Sequence, residues 1–186
     1  MTSIYDIRLA IFIAVTIGLL LISRRSIVDV RSHGFYRFFA WETILLLILV
    51  NIPHWFTDPF SVRQIFSWIL LVLSLPLLWQ GVSLLRKARI TGRRSDTVLY
   101  PFEQTTELVA GGIYRYIRHP LYSSLLFLAC GAFLKDVSWT TGLLTFAAII
   151  FLAATAAADE KECIRYFGPQ YADYMSRTKR FIPYIY

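Results

Sequence analysis

The chain alternates between long apolar blocks and short polar connectors. Five apolar blocks stand out, at residues 4–22, 35–52, 65–85, 120–134 and 137–158. In each, apolar side chains continue all round a 3.6-residue period, without the polar face that a helix on a soluble domain needs. The first block has 19 positions, which as a helix reach about 28 Å, close to the apolar thickness of a bilayer. The pattern predicts an all-α, polytopic integral membrane protein with about five transmembrane helices.

Irregularities within the blocks refine this reading. Asp6 and Arg8 sit near the start of the first block, and Arg24 and Arg25 follow it. A secretory signal would instead place basic residues first and small residues after the apolar run, so a retained helix is predicted. Glu42 lies inside the second block. A carboxylate there must face protein, water or a partner. It is either a substrate or cofactor contact, or a hydrated position near the interface beside Phe39 and Trp41. Pro76 predicts a kink in the third block. The fourth block has only 15 residues, short for a span, so a tilted, thinned or re-entrant helix is open. Lys135 and Asp136 then form a tight polar turn. The fifth block is rich in alanine, which lets neighbouring helices approach closely. With no Pro or Gly before Gly168, its helix is predicted to continue through residues 159–162. Residues 95–112, with Pro101 and the Gly111-Gly112 pair, read as mostly non-helical.

Composition agrees and charge adds orientation. Of 186 residues, 56% are hydrophobic and 17% charged, against a usual charged quarter in soluble domains. A single domain over residues 1–186 follows from the length. The net charge is +7, a value that by itself suits nucleic acid. Yet 16 of the 19 Lys and Arg residues fall within residues 23–37, 86–119 and 159–186. Five spans put all three segments on one side, which predicts an N-out, C-in protein with a cytoplasmic basic face. That face is expected to meet anionic membrane lipids rather than nucleic acid. Cys130 and Cys163 make no disulfide framework, and they and His33, His54 and His119 lack metal-ligand spacing, so no metal is predicted.

The densest chemistry lies in residues 111–122, GGIYRYIRHPLY. Pro120 suits the first position of a helix and pushes His119 toward an extended backbone. His119 is therefore predicted at the helix N-cap, where first-turn N–H groups attract anions. Arg118 can grip a carboxylate with a planar fork. Tyr122 lies a turn into the helix, Tyr114 and Tyr116 could stack on a base, and Gly111-Gly112 permits a tight turn. An alternative stands beside this: Arg118 holds a lipid phosphate and the tyrosines form an interfacial belt. Asp159 and Glu160 follow the last apolar block directly. Acids near a helix C-terminus oppose the macrodipole and imply a partner, either Arg118 or a cationic ligand. Otherwise they are a solvated extension with surface pairs such as Glu162 with Lys161 or Arg165.

Leu108-Val109, Gly112-Ile113-Tyr114 and Arg118-His119-Pro120-Leu121-Tyr122, then Asp159-Glu160, Phe167-Gly168, Tyr171 and Tyr174, resemble the signature of the isoprenylcysteine carboxyl methyltransferase and phospholipid methyltransferase superfamily. The likeness covers about residues 86–183, while residues 1–85 show no specific match. It implies a membrane methyltransferase with S-adenosylmethionine as cofactor, a cytoplasmic cofactor-binding loop and a C-terminal helix. It further implies cofactor-binding roles for Glu107, Leu108, Val109, Tyr114, His119, Pro120, Leu121 and Tyr122, and catalytic or substrate-placing roles for Arg118, Asp159 and Glu160. The implied acceptor is a lipid or a prenylated small molecule. Three positions depart from the pattern. Asp159 stands where Glu is usual and Cys163 where Leu is common. Thr155 stands where the carboxyl methyltransferases carry an Arg that suits a substrate carboxylate, which argues against prenylcysteine. Two further readings are a sterol-reductase-like enzyme using a nicotinamide cofactor and a non-catalytic binder of anionic lipid.

Overall fold

The computed structural model describes residues 4–89 and 105–185. Among the described residues six α-helices follow in order: α1 (Ile4–Ser23), α2 (His33–Asn51), α3 (Val62–Arg89), α4 (Pro120–Phe133), α5 (Trp139–Phe167) and α6 (Pro169–Arg177). Four of them, α1, α2, α3 and α5, are long and apolar enough to cross a membrane. With α4 as a shorter apolar helix, this is the all-α polytopic architecture read from the blocks. The apolar side chains left on the outside, such as Ile13, Phe66, Leu75, Phe146 and Ile150, are the surface such helices present to lipid. Residues 95–104 of the predicted coil lie outside the described residues. The part from Thr105 to Gly111 has no helix, and a short 3-10 turn occupies Gly112–Arg115.

The core sits where α2, α4 and α5 meet. Ala40, Ile44 and Leu47 of α2 pack with Ala129 and Ala132 of α4 and with Ala148, Leu152 and Ala156 of α5. The alanines remove side-chain bulk at these crossings, so backbones come close and dispersion contacts replace the missing volume. α3 runs unbroken through Pro76 and packs along α4. At Gly81 an added Cβ would collide with Leu121 Cδ1. The absence of a side chain there is what lets α3 reach the start of α4.

Buried polar groups account for the shortness of α4. At its C-terminal end Asn51 Nδ2 donates to Ala132 O at 2.7 Å and Arg63 Nη1 to Leu134 O at 2.8 Å. Lys135, read as part of a polar turn, is fully buried. Its Nζ donates to Gln64 Oε1 at 3.0 Å and lies 3.5 Å from the Trp68 ring centroid. The helix end is thus satisfied by protein groups, the condition for irregular backbone at membrane depth. Thr16 of α1 donates to Glu42 Oε2 at 2.8 Å. Glu42 therefore faces α1, and it is not part of the wall of the cavity described next.

Candidate active site

α5 runs as one helix from its capping box at Ser138 and Thr141 to Gly168. It carries Asp159 and Glu160 to the start of α4. His119 is the N-cap of α4, as expected, with φ −123° and ψ 62°, short of the extended backbone expected before Pro120, and with no side-chain cap. Its ring turns to the acids instead. Nδ1 lies 3.5 Å from Asp159 Oδ2 and Nε2 lies 3.3 Å from Glu160 Oε1. Burial alone pulls this imidazole toward neutrality. The hydrogen bonds and charges of Asp159 and Glu160 outweigh it and raise its pKa above the ordinary histidine value. Each of its two ring nitrogens thus meets a carboxylate.

Glu160 gathers the cations. Arg118 Nε donates to its Oε1 at 2.9 Å and Arg180 Nη2 to its Oε2 at 2.6 Å. The other side of the Arg118 fork donates to Thr178 O at 2.5 Å and Met175 O at 3.2 Å. The C-terminal strap is held against the same segment by backbone pairing. Lys179 N–H donates to Tyr116 O at 3.0 Å, and Arg118 N–H and His119 N–H donate to Lys179 O and Arg180 O at 2.8 and 3.2 Å. Asp159 faces the other way. It accepts from Tyr122 Oη at 3.1 Å and from Cys163 Sγ at 3.5 Å.

These elements enclose a cavity of about 820 Å³ including its mouth. Of the expected site residues, Leu108, Val109, Tyr114, Arg118, His119, Pro120, Leu121, Tyr122 and Asp159 line it. Glu107 is exposed and off its wall, and Glu160 is buried behind the wall. Tyr116 is exposed and packs near Tyr184. Gly112 takes the positive φ of 59° that the glycine pair allows, setting the turn that aims Tyr114 inward. Tyr114 O accepts from Tyr174 Oη at 2.7 Å. Tyr171 also lines the cavity, and burial pushes the phenols of Tyr171 and Tyr174 well up, so both stay protonated.

Two groups of wall and support residues were not expected. His33, at the start of α2, places its N–H 2.8 Å from Glu162 Oε1 and its Nδ1 2.7 Å from Oε2. Glu162 therefore pairs across 129 positions of sequence, and not with Lys161 or Arg165 on its own helix. No local spacing signals such a pair. Arg180 likewise meets Glu160 across 20 positions, with no local spacing to signal it. The wall thus carries Asp159 and Glu162 together with Arg118 and His119, and aromatic surface from Tyr114, Phe167 and Tyr171. Thr155 is fully buried and donates to Phe151 O at 2.6 Å, so it supplies no charge.

A helix start that carries Arg118 and His119 against the Asp159–Glu160 pair, in a bundle of apolar helices, defines a membrane protein with a cavity at one end. The profile of the Phospholipid methyltransferase family matches residues 68–170, more than half of the chain, and the chain belongs to that family. It is 29% identical over 122 residues to Protein-S-isoprenylcysteine O-methyltransferase B of Arabidopsis thaliana, covering 63% of this chain and 61% of that one. It is 32% identical over 74 residues to Methanethiol S-methyltransferase 1 of Bradyrhizobium diazoefficiens, covering 39% of this chain and 25% of that one. The chain thus matches about three fifths of the first relative's length and a quarter of the second's. His33 precedes the family-matched region and Arg180 follows it.

Proposed function

We propose that this protein is a membrane methyltransferase that uses S-adenosylmethionine and methylates a lipid-borne or membrane-soluble acceptor. The observation that carries the reading is the placement of the α4 start, Tyr122 and Asp159 on one cavity wall in a chain of this family. The residues present suit the cofactor. The helix start has no side-chain cap and can receive a carboxylate. The Asp159 carboxylate, partly open to the cavity, suits an ammonium or sulfonium cation. Tyr114, Phe167 and Tyr171 offer apolar and stacking surface for a purine.

When bound, the cofactor supplies an electrophilic methyl carbon. The protein's part is mainly alignment and exclusion of water. Arg118, fixed by Glu160, Met175 O and Thr178 O, positions the segment that carries His119 and Tyr122. Tyr122 Oη holds Asp159 in one rotamer. The basic segments put this end of the bundle on the cytoplasmic side, with the N-terminus of α1 outside.

Calorimetry on purified protein tests the reading. S-adenosylhomocysteine is expected to bind with 1:1 stoichiometry, and His119→Ala and Asp159→Asn are expected to lose that binding. NADPH binding without S-adenosylhomocysteine binding would overturn it in favour of a reductase.

A further inference from the structure

His33 is the first residue of α2 and, among the described residues, the one wall residue of the cavity that lies before Leu85. Ser32 caps the helix by accepting from Gly34 N–H, which pins its start. His33 itself is 1% exposed. Its backbone N–H donates to Glu162 Oε1 at 2.8 Å, and its Nδ1 lies 2.7 Å from Oε2. A carboxylate oxygen accepts, so Nδ1 carries the proton. Glu162 thus receives a first-turn N–H of α2 and a ring N–H together, and its charge sits where a helix N-terminus favours an anion. Both oxygens are fixed by one residue, although Glu162 also lines the cavity and keeps 24% of its side chain accessible.

Glu162 stands on the turn of α5 that carries the site's own groups. Asp159 lies one turn before it. Cys163, the next residue, lines the cavity and donates from Sγ to Asp159 Oδ1 at 3.5 Å. Two sets of bonds hold this turn. On one side Glu160 ties it to Arg118 and Arg180. On the other, Glu162 ties it to the start of α2. The apolar seam of Ala40, Ile44 and Leu47 against Ala148, Leu152 and Ala156 joins the same two helices further along, so the helices stay packed without the clamp while the polar turn beyond the seam loses its hold on α2. We infer that His33 is a positioning residue of the candidate site: through Glu162 it holds the turn from Asp159 to Cys163 against α2 and closes the cavity wall there. What the cavity binds rests on the methyl-transfer reading above, whereas closure of the wall by His33 does not.

Two measurements on the full chain in dodecyl maltoside micelles test this, both made well below the unfolding midpoint. One is the calorimetric affinity for S-adenosylhomocysteine. The other is the rate at which N-ethylmaleimide alkylates Cys163 in a Cys130→Ala background. His33→Ala is expected to weaken the affinity and to quicken the alkylation, each roughly three- to tenfold, the worth of one hydrogen bond. Glu162→Ala, which removes the other half of the clamp, should match it in both. His33→Asn, whose side-chain N–H can take the place of Nδ1–H, should restore most of both. Either measurement unchanged in His33→Ala and in Glu162→Ala overturns the inference, and a lowered unfolding midpoint alone leaves a merely structural contact. No rescue by His33→Asn overturns the side-chain hydrogen bond as the means. Absence of S-adenosylhomocysteine binding in the wild type removes the methyl-transfer reading. The alkylation rates then decide by themselves whether His33 closes the wall.

Discussion

Glu160 and Arg180 form the bond that closes the candidate site, with Arg180 Nη2 donating to Glu160 Oε2 at 2.6 Å. The pair joins the end of the apolar helix to a strap 20 residues further on. The other oxygen, Oε1, accepts from Arg118 Nε at 2.9 Å and from Arg180 Nε at 3.1 Å. One buried carboxylate therefore sets the positions of the strap, of Arg118 and of His119 together. Removing the anion leaves two guanidinium groups and the His119 ring close to one another with little solvent. Glu160→Gln is expected to cost about 3–5 kcal/mol of stability, seen as a lowered unfolding midpoint in detergent. Arg180→Lys, which keeps one charge and loses the fork, is expected to cost less than Arg180→Ala. Equal midpoints for wild type and Glu160→Gln would count against this arrangement.

Glu162 sits two residues on and is more exposed, with a side chain 24% accessible against 5% for Glu160. Its loss is better compensated by water. Glu162→Gln is therefore expected to lower the unfolding midpoint and methyl transfer less than Glu160→Gln does. The measurement is a thermal scan of both variants beside a radiolabelled methyl-transfer assay in membranes. Equal losses in the two variants would contradict the ordering.

The raised pKa of His119 has a definite sign for stability. The folded protein holds the proton to higher pH than the unfolded chain does. The histidine's contribution is therefore full below the ordinary value of 6.5 and is lost as pH rises through the higher folded value. The wild-type unfolding midpoint should fall over that window, and His119→Gln should lack that component. A midpoint that rises through the same window in the wild type alone would reverse the assignment.

Gly81 offers a steric test of the α3–α4 contact. A Cβ at this position collides with Leu121 Cδ1 and lies 3.3 Å from Pro120 Cγ, and both residues line the cavity. Gly81→Ala is expected to cost about 1–3 kcal/mol by overpacking and to weaken S-adenosylhomocysteine binding through Leu121. Adding Leu121→Ala should restore part of the stability, since it removes the clashing methyl. A double variant no better than Gly81→Ala would place the strain elsewhere.

Much of the architecture was legible along the chain. The five apolar blocks carry the helices, because membrane-depth segments must satisfy their backbone internally and apolar length alone marks them. The helical continuation of the last block through Asp159 and Glu160, the N-cap at His119 and the approach of Arg118 to Glu160 also follow from local rules and charge complementarity. The motif residues of the loop and of α4 define most of a cavity wall, with Glu107 and Glu160 standing off it.

What only the tertiary structure decided is which distant groups share that wall. His33 and Glu162 are brought together by the packing of α2 on α5, and Arg180 reaches Glu160 only because the strap pairs with residues 116–119. The burial of Lys135 and the turning of Glu42 toward α1 are of the same kind. Periodicity and local charge order determine where helices run and end, since those depend on neighbours within a turn or two. The partner of a buried charge depends on which helix faces which, and that is set by close packing between segments far apart in the chain.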